Sequence, residues 1–221
     1  MANLEPLIQS IPVAPLKLAS LEGCRTLADQ VNNYLVSFRH ESPTNVGQAD
    51  SLQGYCADSY LLECECPRFG SGEGKGVLKE SVRGCDLFIM VDVTNYSLTY
   101  RVNGYENHMS PDNHYQDLKR IISAADGKAR RINVIMPFLY EGRQHKRSKR
   151  ESLDCALMLQ ELVDMGVSNI LTFDAHDPRV SNSIPLHGFD SFMPTYQFLK
   201  ALVNSVPDFV IDNEHLMIIS P

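Results

Sequence analysis

Apolar positions fall in two rhythms along this chain, short unbroken runs and stripes that return every three or four residues, and their order predicts alternating strands and helices. Residues 16–19 read as a short strand and 21–36 as a helix with Leu27, Val31 and Leu35 on its apolar face. The polar stretch 40–54, with Ser42-Pro43-Thr44-Asn45, reads as a loop or insertion. Residues 60–66 are a candidate strand, and 68–76, with four glycines in nine residues, a turn or flexible hairpin. Strands are expected at 77–80 and 86–91, the second buried on both faces. Residues 96–108 show no clear period and predict an excursion from the sheet. A helix follows at 111–125, begun by Pro111-Asp112-Asn113 and ended by Asp126-Gly127. The remaining expectations are a strand at 132–138, a helix at 151–165 ended by Gly166, a strand at 169–173, a helix at 194–205 and a strand at 215–219. This alternation implies an α/β fold with a doubly wound, mainly parallel sheet.

Bulk properties narrow the class. The 221 residues, 43% of them apolar, suffice for one large domain or a domain with extensions. A net charge of −7 argues against a general nucleic-acid binder, so any basic site must be local. The longest apolar runs, 87–91 and 134–139, are far too short to span a bilayer. The start of the chain lacks a basic segment followed by an apolar run, so the cytoplasm is the expected compartment. Six scattered cysteines read as reduced, buried thiols, and Cys64-Glu65-Cys66, with no second pair at matching spacing, is weak support for zinc.

Candidate chemistry clusters after two consecutive strands. Arg143-Gln144-His145-Lys146-Arg147 follows 132–138, and Asp174-Ala175-His176-Asp177 follows 169–173. Ligands of open α/β sheets sit beyond the carboxyl ends of strands, where both signatures fall. One supplies fixed positive charge and the other possible metal ligands, a combination suited to a magnesium-bound polyphosphate and hence to a nucleotide. Five of the eight residues 143–150 are Lys or Arg. Arginine's fork holds phosphate oxygens in pairs and lysine adds point charge. The plainer reading of the run is a solvated loop or a localisation tag. Residues two apart in an extended strand share a face, so Asp174 and His176 can address one cation. Asp174 is the better magnesium ligand, and His176 has three roles open to it: metal ligand, partner of a metal-bound water, or phosphate contact. The glycine-rich segment lacks the G-x-x-x-x-G-K-[ST] spacing of a phosphate loop; its Phe69 and Glu73 can stack on and hydrogen-bond a base.

Five motifs occur in order over residues 60–221 in a way that resembles the ribose-phosphate pyrophosphokinase (phosphoribosyl pyrophosphate synthetase) family. Arg68-Phe-Gly-Ser-Gly-Glu73 is similar to the family's R-F-S-D-G-E segment, and Glu80-Ser-Val-Arg-Gly-Cys-Asp-Leu-Phe-Ile89 to its V-R-G-x-D-[IV] strand. Pro111-Asp-Asn-His-Tyr-Gln-Asp-Leu118 resembles N-D-N-L-M-E-L, and the stretch ending in Tyr140-Glu-Gly-Arg-Gln-His-Lys-Arg147 resembles Y-A-R-Q-D-[RK]-[RK]. Asn169-Ile-Leu-Thr-Phe-Asp-Ala-His176 resembles R-V-[IL]-T-V-D-L-H.

The resemblance implies a phosphoribosyltransferase-like fold and transfer of the β,γ-diphosphoryl group of ATP to ribose 5-phosphate, with Mg2+ as cofactor and AMP as product. Arg143 and Gln144 would contact ATP, His176 with Asp174 beside it would lie at the magnesium and triphosphate, and Phe69, Ser71 and Glu73 would form the adenine segment. In the family that segment reaches a neighbouring subunit, which implies a homo-oligomer. Ser71 stands where the family has Asp or Asn, and His145 where it has Asp. The resemblance implies that residues 1–221 form a single N-terminal, ATP-side domain with insertions at 40–57 and 96–110. The second domain, which carries most of the ribose 5-phosphate site, has no counterpart in these residues, so the chain alone is expected to be inactive. The alternative expectation, motivated by Ser71 and His145, is a catalytically silent relative that assembles with active synthetase subunits.

Overall fold

In the computed structural model, residues 13–41 and 54–207 are described, together with 210, 212, 214, 216, 217 and 219. Residues 42–53 of the expected loop lie outside them, as does part of the strand expected at 215–219.

Strand β1 (Leu16–Ser20) passes through a 3-10 turn (Glu22–Cys24) into helix α1 (Arg25–Glu41). The helix continues past the expected end at 36 because residues 37–41 contain neither Gly nor Pro to stop it. The expected single strand at 60–66 is two short ones, β2 (Leu61–Leu62) and β3 (Cys64–Glu65), which join different sheets. After β4 (Val77–Leu78) and β5 (Asp86–Met90), the predicted excursion is an antiparallel hairpin of β6 (Thr99–Val102) and β7 (Tyr105–His108).

Helix α2 (Pro111–Ala124) starts from Ser110, whose hydroxyl accepts from the Asn113 N–H while the Asn113 side chain accepts from the Ser110 N–H. This reciprocal cap and Pro111 in the first turn satisfy donors that the helix cannot satisfy itself. Strand β8 (Arg131–Ile135), helix α3 (Asp154–Asp164), strand β9 (Val167–Phe173), a 3-10 segment (Pro178–Ser183), strand β10 (Gly188–Phe192) and helix α4 (Thr195–Ser205) complete the order. Among the described residues no helix is long and apolar enough to cross a membrane.

Six parallel strands form one sheet in the order β10-β9-β8-β5-β1-β2. The chain goes from β1 out to β2, then returns to β5 on the other side of β1, so the strand order reverses between β1 and β5. A crevice beyond the carboxyl ends is expected at that reversal.

Alternate residues of the central strands divide the core. Ala19, Leu87, Ile89, Val134 and Ile170 face one side, where Leu118, Ile121, Leu159 and Leu162 of α2 and α3 pack on them, all nearly or fully buried. Leu18 and Met90 face the other side with Cys24 and Ala28 of the α1 segment. That second face is thinly covered. Only Ala28 and Asn32 of α1 are buried, and Phe173 and Phe192 lie half exposed with their rings 6.1 Å apart.

The glycine-rich stretch is closely packed rather than loose. A Cβ at Gly76 would lie 2.4 Å from the Arg120 carbonyl oxygen of α2. Arg68 reaches from its start to Asp117 of α2, with Nη1–Oδ1 2.6 Å and Nη2–Oδ2 2.8 Å, and Arg120 joins the same carboxylate at 2.6 Å. Buried charge of this kind is tolerated because every member is paired.

Candidate functional site

Beyond β8 the chain turns at 139–142, with Gly142 N–H bonded to Leu139 O and Glu141 in the left-handed region at φ 54°. Tyr140 anchors this turn to α2: its ring stacks on Tyr115 at 4.6 Å and its hydroxyl donates to Asp112. Tyr115 in turn donates to Glu161 of α3 at 2.7 Å, which also pairs with Lys119. Burial, reinforced by the Glu161 bond, raises the Tyr115 hydroxyl above its usual range. Burial, together with Asp154 and Asp112, raises the Glu141 carboxyl. The base of the loop is therefore acidic and its crest basic.

Arg143 is exposed and lines a cleft of about 280 Å³ with Val93, Thr94, Phe138 and Tyr140. A neighbouring cleft of about 300 Å³, lined by Gly23, Asp92, Thr94 and Pro137, sits at the reversal between β1 and β5. Among the described residues no carboxylate lies within ion-pair distance of Arg143, Lys146, Arg147, Lys149 or Arg150. Gln144 points elsewhere: its side-chain amide donates to Ser152 O at 2.8 Å and closes the loop on itself.

His145 turns inward. Its ring centroid lies 5.1 Å from that of His176, and its Nε2 lies 3.6 Å from Asp177 Oδ2. The carboxyl ends of β8 and β9 thus bring one member of each signature together. Asp177 is buried and accepts from Arg179, whose guanidinium and backbone N–H hold its carboxyl well below the usual range. Neither Arg179 nor His145 was among the expected site residues; the Asp-Pro-Arg turn after His176 was the available signal for the first, and the family departure for the second.

Asp174 does not continue the strand. It sits in the left-handed region at φ 46°, donates its N–H to Phe192 O, and is exposed. Strand alternation therefore stops at Phe173, and the same-face argument for Asp174 and His176 does not hold. An Asp accepts this backbone conformation more readily than most residues. Among the described residues no three His, Cys, Asp or Glu side chains gather to hold a metal. Two exposed ligand types beside a basic loop instead suit a magnesium ion carried on phosphate oxygens, which needs few protein ligands.

Phe69, Ser71 and Glu73 lie on a separate turn. Phe69 N–H donates to Glu73 O at 2.7 Å, Gly72 N–H to Phe69 O at 2.9 Å, and Ser71 Oγ to Glu73 Oε2 at 2.8 Å. Phe69 is 54% exposed, which leaves it available for stacking. Among the described residues no hydrogen bond, ion pair or ring contact joins this turn to Arg143 or His176. Cys64 and Cys66 bond through Sγ to Ser20 O and Asp117 O respectively and form no common site. Cys56 is exposed, unlike the buried thiols expected.

Comparison with known proteins covers most of this architecture. Residues 16–166 match the profile of the N-terminal domain of ribose phosphate pyrophosphokinase. Ribose-phosphate pyrophosphokinase of Corynebacterium ammoniagenes is 29% identical over 167 residues, 75% of this chain and 41% of that protein. The enzyme of the same name from Bacillus caldolyticus is 30% identical over 122 residues, 54% of this chain and 34% of that protein. The crystal structure of phosphoribosylpyrophosphate synthetase from Mycobacterium smegmatis superposes with a TM-score of 0.64 at 22% identity, covering 86% of this chain and 52% of that one. This likeness establishes a phosphoribosyltransferase-like fold, and the chain spans roughly half or less of each of these relatives. With the profile matched across more than half of its residues, the chain belongs to the ribose-phosphate pyrophosphokinase family, to whose N-terminal domain it corresponds.

Proposed function

We propose that this chain is the ATP-side half of a divergent ribose-phosphate pyrophosphokinase, which transfers the diphosphoryl group of ATP to the C1 hydroxyl of ribose 5-phosphate. The observation that carries the reading is the meeting of the two signatures: His145 and His176, from the loops after β8 and β9, lie 5.1 Å apart beside the exposed Arg143. Such a reaction is helped chiefly by positioning and charge neutralisation. Arg143 grips phosphate oxygens, His176 hydrogen-bonds the triphosphate, and Asp174 with His176 flanks the metal. Mg2+ supplies further neutralisation when bound with the nucleotide. Phe69 and Glu73 take the adenine, by stacking and by accepting from its amino group. Gln144, engaged with Ser152, reaches ATP only after that bond opens.

Residues 1–221 act in this reading as one N-terminal domain with insertions at 40–57 and 96–110, in a cytoplasmic homo-oligomer. The uncovered apolar side chains of β9, β10 and α4 support association. Ribose 5-phosphate would be held mainly by a second domain.

Magnesium-dependent ATP titration by calorimetry tests the site. Saturable binding is expected, weakened about tenfold or more by Arg143→Ala and by His176→Ala, the scale of one hydrogen bond to a charged group. Absence of binding by the folded chain would sink the reading. A second reading, a catalytically silent relative that assembles with synthetase subunits, is favoured by Ser71, bonded to Glu73, and by His145, both departures from the family pattern. Ser71→Asp with His145→Asp separates the two: a gain in ATP affinity speaks for a weakened enzyme, no gain for the silent relative.

A further inference from the structure

The turn at 69–73 and the β6–β7 hairpin are far apart in sequence and meet directly. Asn103, at the hairpin tip, donates its N–H to Gly70 O at 3.0 Å. Gly72, at φ 91°, lies against Val102 so closely that a Cβ there would come within 2.9 Å of Val102 Cγ2. Valine is stiff about χ1 and cannot easily withdraw. Arg68, at the root of the turn, places its guanidinium 5.3 Å from the Tyr100 ring centroid of β6. The turn's internal bonds fix its own shape, whereas its crest is steadied against the rest of the domain from the hairpin side.

The hairpin has its own footing. Met109 N–H donates to Leu98 O at 2.9 Å, and the Tyr96 and His108 rings stack at 4.2 Å across its base. Asn95, just before it, passes its carbonyl to His114 Nε2 of α2 at 2.6 Å. Between hairpin and domain lies a cavity of about 430 Å³, lined by Arg25, Cys66, Arg68, Tyr100, Arg101 and His114 among others. The hairpin is thus rooted at one end, bridges a cavity, and bears on the turn with its tip.

We propose that the β6–β7 hairpin is a positioning element for base recognition, in which Val102 and Asn103 hold the 69–73 turn so that Phe69 and Glu73 face a 6-aminopurine. The inference rests on the reading of that turn as the adenine segment. A carboxylate accepts from a 6-amino group and repels a 6-oxo group, so the held turn favours ATP over GTP. Releasing it makes the competent orientation a minority state, which weakens ATP by the fraction lost and leaves bare phosphate recognition unchanged.

The test uses the 221-residue chain, Val102→Ala, and a variant with residues 97–108 replaced by a Gly-Ser link. Amide exchange at residues 69–74 is read together with calorimetric affinities for magnesium complexes of ATP, GTP and inorganic tripolyphosphate. Faster exchange at 69–74 in both variants is expected, with ATP weakened about fivefold if the turn is competent a fifth of the time. Tripolyphosphate should bind unchanged, and the preference for ATP over GTP should shrink. Should the excised variant fail to fold, Val102→Ala carries the decision alone. Unchanged exchange overturns the bracing role and leaves the adenine reading standing. Faster exchange with undiminished ATP preference shows that the turn does not read the base, which overturns both.

Discussion

Asp117 shows how much one side chain can hold. It is buried on α2 and accepts from Arg68 and Arg120, so Asp117→Ala would leave two guanidinium groups in a poorly solvated place. A loss of about 3–5 kcal/mol is expected in urea denaturation, the cost of breaking a buried charge pair from one side. The thiols give a pH signature. Burial pushes Cys66 up to about 12, with Asp117 adding to it, and pushes Cys24, Cys64 and Cys155 up to about 11. The folded state then keeps protons that the unfolded chain releases. The stability this provides is whole below the ordinary thiol value near 9 and is lost as pH rises through 11 to 12. Urea midpoints should fall between pH 8 and pH 10.5, and iodoacetamide at pH 8 should label the exposed Cys56 ahead of these four. At this scale the sequence was a mixed guide: the basic run and Asp174-Ala-His176 were visible as chemistry, while the left-handed backbone of Asp174 and the inward turn of His145 were not. Those depend on the Phe192 carbonyl and on Asp177, contacts that no local spacing specifies.

Helix α2 is the element on which the neighbouring loops converge. Its first turns receive Asn95 from the loop after β5 and Tyr140 from the loop after β8, and its later turns carry Asp117 and the backbone that Gly76 approaches. Removing its cap with Ser110→Ala should cost about 1 kcal/mol of stability, measurable as a shift in the urea midpoint without change of slope. The helix was legible from Pro111 and Asp112-Asn113 before an amphipathic stripe, although the capping hydroxyl is that of Ser110. The strands β5 and β8 were legible as apolar runs because their middles are buried on both faces, and β9 by the shorter run around Ile170, although Phe173 at its end stays half exposed. β10 was not: an edge strand of Gly-Phe-Asp-Ser-Phe, half exposed, lacks a buried run to announce it. The split of 60–66 into β2 and β3 was equally hidden, since one strand joins β1 and the other β4, a choice made by partners distant in the chain.

For the molecule as a whole, the two faces of the sheet are unequally covered, and the residues proposed to approach a nucleotide sit beyond the carboxyl ends of β8 and β9. On the proposed function, ribose 5-phosphate and ATP incubated with the 221-residue chain should yield no AMP above background, read by chromatography; clear ribose-phosphate-dependent AMP formation would place a complete active centre within these residues. The sequence by itself determined the strand and helix alternation, the parallel α/β class, the place of the two signatures after consecutive strands, and the family. Each of these follows from short-range periodicity or from motifs read in order, which burial and backbone geometry impress directly on residue types. Only the tertiary structure decided which residues meet: His145 with His176 and Asp177, Gln144 with Ser152, and Gly72 with Val102 of a hairpin whose sequence gave no period. The reason is physical. Such contacts arise where separate loops are carried to a common point by the sheet and α2, and their distances are properties of the assembled fold rather than of any segment within it.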